Sequence, residues 1–421
     1  MRTTIARFVS TVVAAGAVAV AVSAAAAPAE PQWFSAAQAA EPSVIASLND
    51  MVAIESGSSN AAGLAQMADY VERRLRDLGA RTERIAGAGG HGTMVRGTLT
   101  GTGTKKLMLI AHMDTVYPTG TLASQPYHRD GNKLYGPGIA DDKSGIAVIL
   151  HSLAILKDAG WRDYAQLTVL FNQDEEVGST GSGETIARVA AEHDVVFSCE
   201  PTGAKAVSRV EGLLLGAAGT ATVTMEVAGR SSHAGAAPDA GRNALIELAY
   251  QLQQTRDIAK GIPGAQLNWT MAQAGVVSNQ IPEKATARAD VRLTATGAAE
   301  KLIAALQEKV RSGHLVPDTR TTVAMQIGRP PFVADERSRA FAKQAQAIYG
   351  ELDGRELALV PMVGAATDAG FAAQSGKPIV IESFGLAGSG YHARDEYIEI
   401  DSIAPRLYLM MRMLQSAARL P

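Results

Sequence analysis

The chain has 421 residues, 47% of them hydrophobic and 19% charged, with a formal net charge of −3. That composition is globular rather than disordered, and the length exceeds one ordinary core, so two domains are expected. Near-neutral charge without a polybasic run excludes nucleic acid as the main partner.

Arg2 and Arg7 flank a short positive region, FVSTVVAAGAVAVAV follows as an apolar core, and Ser23 to Ala27 supply small residues. This reads as a bacterial-type secretory signal over residues 1–27, short and Ala-rich for a membrane span, with an uncleaved anchor as the alternative. It implies a periplasmic or secreted mature protein with no membrane attachment after cleavage. Residues 28–42 are Ala/Pro-rich and are expected to be a flexible lead-in. The next segment has Leu64, Met67, Val71, Leu75 and Leu78 at helical spacing, and Gly79 closes it.

Helices and short apolar strands alternate to about residue 215, which predicts an α/β fold with a mostly parallel sheet and helices on both faces. The middle segment differs. GTATVTMEVAGR alternates with period two, a helix follows near Asn243 to Lys260, and NWTMAQAGVV and KATARADVRLTA read as two strands. A helix over Ala298 to Arg311 and a strand over Thr321 to Ile327 complete a β-α-β-β-α-β order, that of a ferredoxin-like α+β module. The expected organisation is a larger domain over 43–216 and 327–421, interrupted by a smaller one over 217–326.

Four apolar stretches of the larger part end in metal-binding residue types. KKLMLIAHMD ends at His112 and Asp114, QLTVLFNQDEE at Asp174, Glu175 and Glu176, VVFSCE at Glu200, and KPIVIESFG leads to His392. Asp141 and Asp142 open a helix after a Gly-Pro-Gly run. Ligands of open α/β sheets bind at the carboxyl ends of the strands, and imidazoles with carboxylates there suit a divalent metal. His112 and Asp114 lie two apart on a strand and can face one way, so Asp114 is placed to accept the ring N–H of a ligating His112. In the acidic triplet, neighbours point in opposite directions, so one carboxylate can bind metal while the next faces the attacking water. An N-capping role for an aspartate at 141–142 and a plain acidic loop at 174–176 are the structural alternatives. Two histidines with three or four carboxylates exceed the needs of one tetrahedral zinc, and a shared carboxylate between two ions is the economical arrangement. His91, His128, His151, His193 and His314 lack such a setting and read as structural or surface residues. The single cysteine, Cys199, excludes an intrachain disulfide and reads as a small core residue.

The motifs AHMDTV, YGPGIADDKSG, NQDEEVGS, CEPTG, GRSSHAGAAPDAGRNAL, VSNQIP with ADVR, GRP and GYHARDEY resemble those of the co-catalytic di-zinc family of aminoacylases, dipeptidases and carboxypeptidases. Within it the chain is most similar to bacterial glutamate carboxypeptidases that cleave folates, over about residues 43 to 415. The resemblance implies two zinc ions per subunit, with Asp141 as the bridge, His112 and Glu200 on one ion, and Glu176 and His392 on the other. It implies Glu175 as general base, Asp114 as partner of His112, and a cis peptide after Asp141. His233 resembles the histidine that reaches the partner subunit's active site in a homodimer formed through the smaller domain, which would also act as a lid. Asn279, Arg292 and Arg329 resemble residues that hold the substrate's free carboxylate. The implied reaction is hydrolysis of a C-terminal amide, releasing an amino acid, glutamate first, from N-acyl, folate-like or peptide substrates. A deacylase of other N-acyl amino acids, a dipeptidase, and a non-catalytic periplasmic metal- or peptide-binding protein are the competing readings. At one place the chain departs from the glutamate-specific pattern. Some of those relatives place a lysine just ahead of a strand reading L-x-L-G, where this chain has Arg209-Val210-Glu211-Gly212 before LLLG.

Overall fold

A computed structural model describes residues 30–421, so the signal segment expected at 1–27 lies outside the described residues. The lead-in expected over 28–42 is instead largely helical. A helix over Pro31–Val52 begins with proline at its first turn, where the missing N–H costs nothing, and runs through Pro42. It buries Ala37, Val44, Leu48 and Met51, and Phe34 meets Tyr408 edge-on at 5.9 Å. Alanine is the strongest helix former, and tertiary burial outweighs the one donor that Pro42 removes. The helix Ala61–Asp77 forms as its spacing predicts; Asn60 caps it by accepting from Gly63 N, and Gly79 beyond it adopts φ +89°.

The large sheet has six strands in the order Arg81–Ala86, Thr93–Thr100, Gln166–Asn172, Lys106–His112, Val195–Ser198, Ile379–Ile381. The last four run parallel, while the first two pair antiparallel as an edge hairpin, so the sheet is mixed with a parallel interior. Its interior strands are apolar runs, as sheets covered by helices require. The helices Pro31–Val52, Lys143–Asp158 and Ile403–Ala418 pack on one another beside the sheet. Register places His112 opposite Asn172 and Ile110 opposite Ser198, so the chain leaves these three parallel strands along one edge.

A second sheet joins Ala265–Ala274, Lys284–Leu293, Gly219–Ala228 and Arg320–Ile327, all antiparallel. In chain order that is 2-3-1-4, the ferredoxin-like arrangement. Gly219–Ala228 buries every second residue, and with the helices Ala244–Thr255 and Ala298–Ser312 it encloses a hydrophobic cluster of its own. Among the described residues no helix is long and apolar enough to cross a membrane.

Candidate active site

The strand edge gathers the five residues read as ligands. His112, buried at the end of its strand, has Nε2 2.9 Å from Asp141 Oδ1 and 3.7 Å from Glu200 Oε1. His392 Nε2 lies 3.4 Å from Asp141 Oδ2 and 3.1 Å from Glu176 Oε2. Asp141 therefore turns one oxygen toward His112 and the other toward His392, with Glu200 on the first side and Glu176 on the second. His392 takes a left-handed backbone, φ +61°, uncommon for a residue with a side chain and characteristic of constrained sites.

The two aspartates of the Gly-Pro-Gly loop divide the roles that the sequence left open. Asp142 caps the helix Lys143–Asp158, accepting from Gly145 N at 3.1 Å and from His112 N at 3.3 Å. Asp142 also comes near His112 and Glu200, but with both oxygens committed to the backbone it is a cap, and Asp141 faces the cluster. The peptide between them is cis. Within this loop Gly138 has φ +69°, and a Cβ there would stand 2.3 Å from Thr115 Cγ2.

Asp114 does more than orient His112. His112 Nδ1 is 3.0 Å from the Asp114 carbonyl and 3.3 Å from its Oδ1. The carboxylate also accepts from Glu175 N at 3.0 Å, Glu176 N at 3.1 Å and Ser58 Oγ at 2.7 Å. One aspartate thus ties the imidazole to the turn carrying the acidic pair. That turn, Glu175–Val177, is 3-10 rather than extended, so strand alternation does not explain the divergence of its side chains. Asp174 faces away from the cluster and accepts from Gly181 N.

Glu175 is buried and meets Arg329 Nη1 at 2.6 Å. Arg329 was expected to hold substrate; in this structure its guanidinium pairs with Glu175 and donates to the Ala366 carbonyl at 2.8 Å. Burial pushes the Glu175 carboxyl well above the usual range against the pull of Arg329, and burial beside Asp141 raises Glu200 to about 7. Burial raises Glu176 as well, and its Oε1 has no hydrogen-bond partner. Converging acids with an unpartnered buried oxygen form a donor set that divalent cations compensate. The donor set fits the divalent metal expected of it.

The cluster opens into a cleft of about 710 Å³, which Arg292 and Arg329 also line. Arg292 Nε lies 3.1 Å from Asp290 Oδ2. His233 and Asn279 are not brought there within one chain. Both are exposed, His233 on the short strand Ser232–His233 and Asn279 in the turn just before its partner strand Gln280–Ile281, where Ala234 N donates to the Asn279 carbonyl at 2.8 Å. Of the remaining histidines, His151 is buried against Ser47 at 2.9 Å, and His193 is buried against Thr168.

Glu396 has a role the sequence reading missed. Its carboxylate is buried and accepts from Gly138 N, Ala140 N and Asp141 N at 2.8–2.9 Å, and from Tyr117 Oη at 2.7 Å. It fixes the loop that presents Asp141. The signal was its place in GYHARDEY, four residues beyond His392.

The family model for peptidase family M20/M25/M40 matches residues 108–416. The chain is 44% identical to carboxypeptidase G2 of Pseudomonas sp. (strain RS-16) over 383 residues, covering 90% of this chain and 91% of that one. It is 29% identical to the succinyl-diaminopimelate desuccinylase of Caulobacter sp. (strain K31), covering 80% and 86% of the two chains. Its fold is similar to that of aminopeptidase PepT from Bacillus cereus, with TM-score 0.71 at 20% identity over 90% of this chain and 99% of that one. The M20 family metallo-carboxypeptidase Sso-CP2 from Sulfolobus solfataricus gives TM-score 0.68 at 16% identity, covering 90% and 99%. The chain therefore belongs to peptidase family M20/M25/M40 and is an enzyme, a metal-dependent hydrolase of the carboxypeptidase kind.

Proposed function

We propose that the enzyme hydrolyses the amide bond next to a free carboxylate, releasing an amino acid from N-acyl, folate-like or short-peptide substrates. Glutamate is the amino acid that the family resemblance implies. The observation that carries the reading is the placement of Asp141, with one oxygen toward His112 and the other toward His392, beside a buried Glu175. Asp141, His112 and Glu200 would hold one zinc, and Asp141, Glu176 and His392 the other. When bound, the ions supply Lewis acidity to the amide carbonyl and an acidified water.

Glu175 takes the proton of the attacking water and returns it to the leaving nitrogen. Its burial suits a base that must also act as an acid within one turnover. Asp114 holds the His112 ring and the Glu175–Glu176 turn in one register. Arg292, Asn279 and Arg329 capture the free carboxylate, with Arg329 shared between substrate and Glu175. His233 and Asn279 stand together and exposed on the smaller unit, residues 217–326, which supports a homodimer in which they reach the partner's cleft and His233 polarises the scissile carbonyl. The smaller unit then serves as both lid and dimer contact. The mature enzyme is periplasmic or secreted.

The test compares folate-type N-acyl glutamates, N-acetyl amino acids and dipeptides, each with and without a chelator. The expected result is hydrolysis that chelation abolishes and added zinc restores. Turnover surviving full metal removal contradicts the proposal.

A further inference from the structure

The wall of the cleft opposite in character to the acidic cluster is built by two strands that pair far apart in the chain. Glu211–Leu214 and Leu357–Val360 run parallel, with Gly212 opposite Ala358 and Leu214 opposite Val360. Strand alternation sorts their side chains. Glu211 turns inward and accepts from Tyr349 Oη at 2.7 Å, and Leu213 is fully buried. Val210, Gly212, Leu214, Ala358 and Val360 share the cleft face, joined by Val363. The side chains that these strands turn to the cleft are all apolar, with the hydroxyls of Thr202 and Ser208 beside them and no charged group among them.

The cations of the cleft are few and already engaged. No lysine stands among the described residues that line it, and its two arginines, Arg292 and Arg329, pair with Asp290 and Glu175. Arg209, the basic residue just before the wall, has φ +66°, is exposed, and does not line the cleft. One substrate carboxylate can be met by these arginines. A second one, on a glutamate side chain, would be desolvated against Leu214, Val360 and Val363 without a cation, and an unpaired buried charge is strongly disfavoured. An apolar side chain gains from the same burial.

We propose that this wall is the subsite for the side chain of the released amino acid, and that it favours apolar residues of the leucine and phenylalanine class over glutamate. The inference rests on the amide-hydrolase reading above and names its substrate class.

The test uses the zinc-loaded full-length mature enzyme in two series. One holds a benzoyl group fixed and varies the amino acid among leucine, phenylalanine, glutamate and lysine. The other holds leucine fixed and varies the acyl group among acetyl, benzoyl and a folate-type aroyl. The expected result is a kcat/KM at least about tenfold higher for leucine or phenylalanine than for glutamate, about the discrimination one apolar pocket achieves. Leu214→Lys, and separately Val360→Lys, should shift the ratio toward glutamate by a similar factor, with zinc content unchanged as the check on folding. Glutamate cleaved as fast as leucine, or rates that follow the acyl group and ignore the amino acid, would overturn the inference and leave the hydrolase reading standing. No cleavage in either series, with zinc bound, would overturn both.

Discussion

Replacing Glu396 by glutamine should damage the metal site without touching a ligand. The carboxylate accepts two bonds on each oxygen: Ala140 N and Asp141 N on Oε1, Gly138 N and Tyr117 Oη on Oε2. An amide of the same shape keeps its acceptor oxygen for Ala140 N and Asp141 N and sets an NH₂ against Gly138 N, while the Tyr117 hydroxyl can donate to the Ala393 carbonyl at 2.7 Å and accept from that NH₂. Hydrogen bonds to a charged group contribute about 1.5–3 kcal/mol each, so loss of the Gly138 bond costs about 1.5–3 kcal/mol, divided between folding and the ordering of the Asp141 loop. Burial pushes the Glu396 carboxyl up to about 7, against the pull of its donors, so the comparison is made at pH 8 where it is ionised. Zinc affinity, measured by competition with a chromophoric chelator, should fall about 10–100-fold, the usual cost of removing a group that orients a metal ligand. Thermal unfolding of the zinc-loaded protein should begin at lower temperature. Unchanged zinc affinity in Glu396→Gln would refute the claim that this residue positions Asp141.

Glu175→Gln should retain zinc and lower kcat by at least about 10²–10⁴-fold, read by steady-state hydrolysis with metal analysis on the same sample; near-normal turnover would remove Glu175 from the base role. His151 is buried, and burial together with the Arg74 charge lowers it to about 4. The unfolded chain then binds its proton at higher pH than the fold does, so this contribution to stability is present above about 6.5 and is lost as pH falls toward 4. The loss amounts to at most about 3 kcal/mol, and denaturant titrations from pH 7 to 4 should show a shallower decline in His151→Gln. In the dimer reading, His233→Ala should lower kcat while leaving zinc content intact, and mixing it with Glu175→Gln should restore part of the activity. Absence of any restoration would place His233 in its own chain's cleft or out of the reaction.

The gathering of the candidate ligands at one sheet edge was legible because it follows from local pattern. Apolar runs that end in His112, Glu200 and the acidic pair are strands, and parallel strands deliver their ends to one edge. The period-two stretches of the smaller unit were legible for the same reason. What escaped depends on contacts distant in sequence. Glu396 bonds a loop some 255 residues away, and the apolar wall exists only because Leu357–Val360 pairs with Glu211–Leu214. The helix over Pro31–Val52 was hidden by Pro42, whose cost is met by a burial that composition does not reveal. Asp174 looked like a third acid of the site until the 3-10 turn at Glu175 set its side chain toward Gly181.

The most direct test of the two-zinc arrangement is the zinc content per chain after dialysis against trace zinc, compared with that of Asp141→Asn. The arrangement predicts two ions in the parent protein and fewer than one in the variant, because both halves of the site share that side chain. One ion in the parent, or two in the variant, would contradict it.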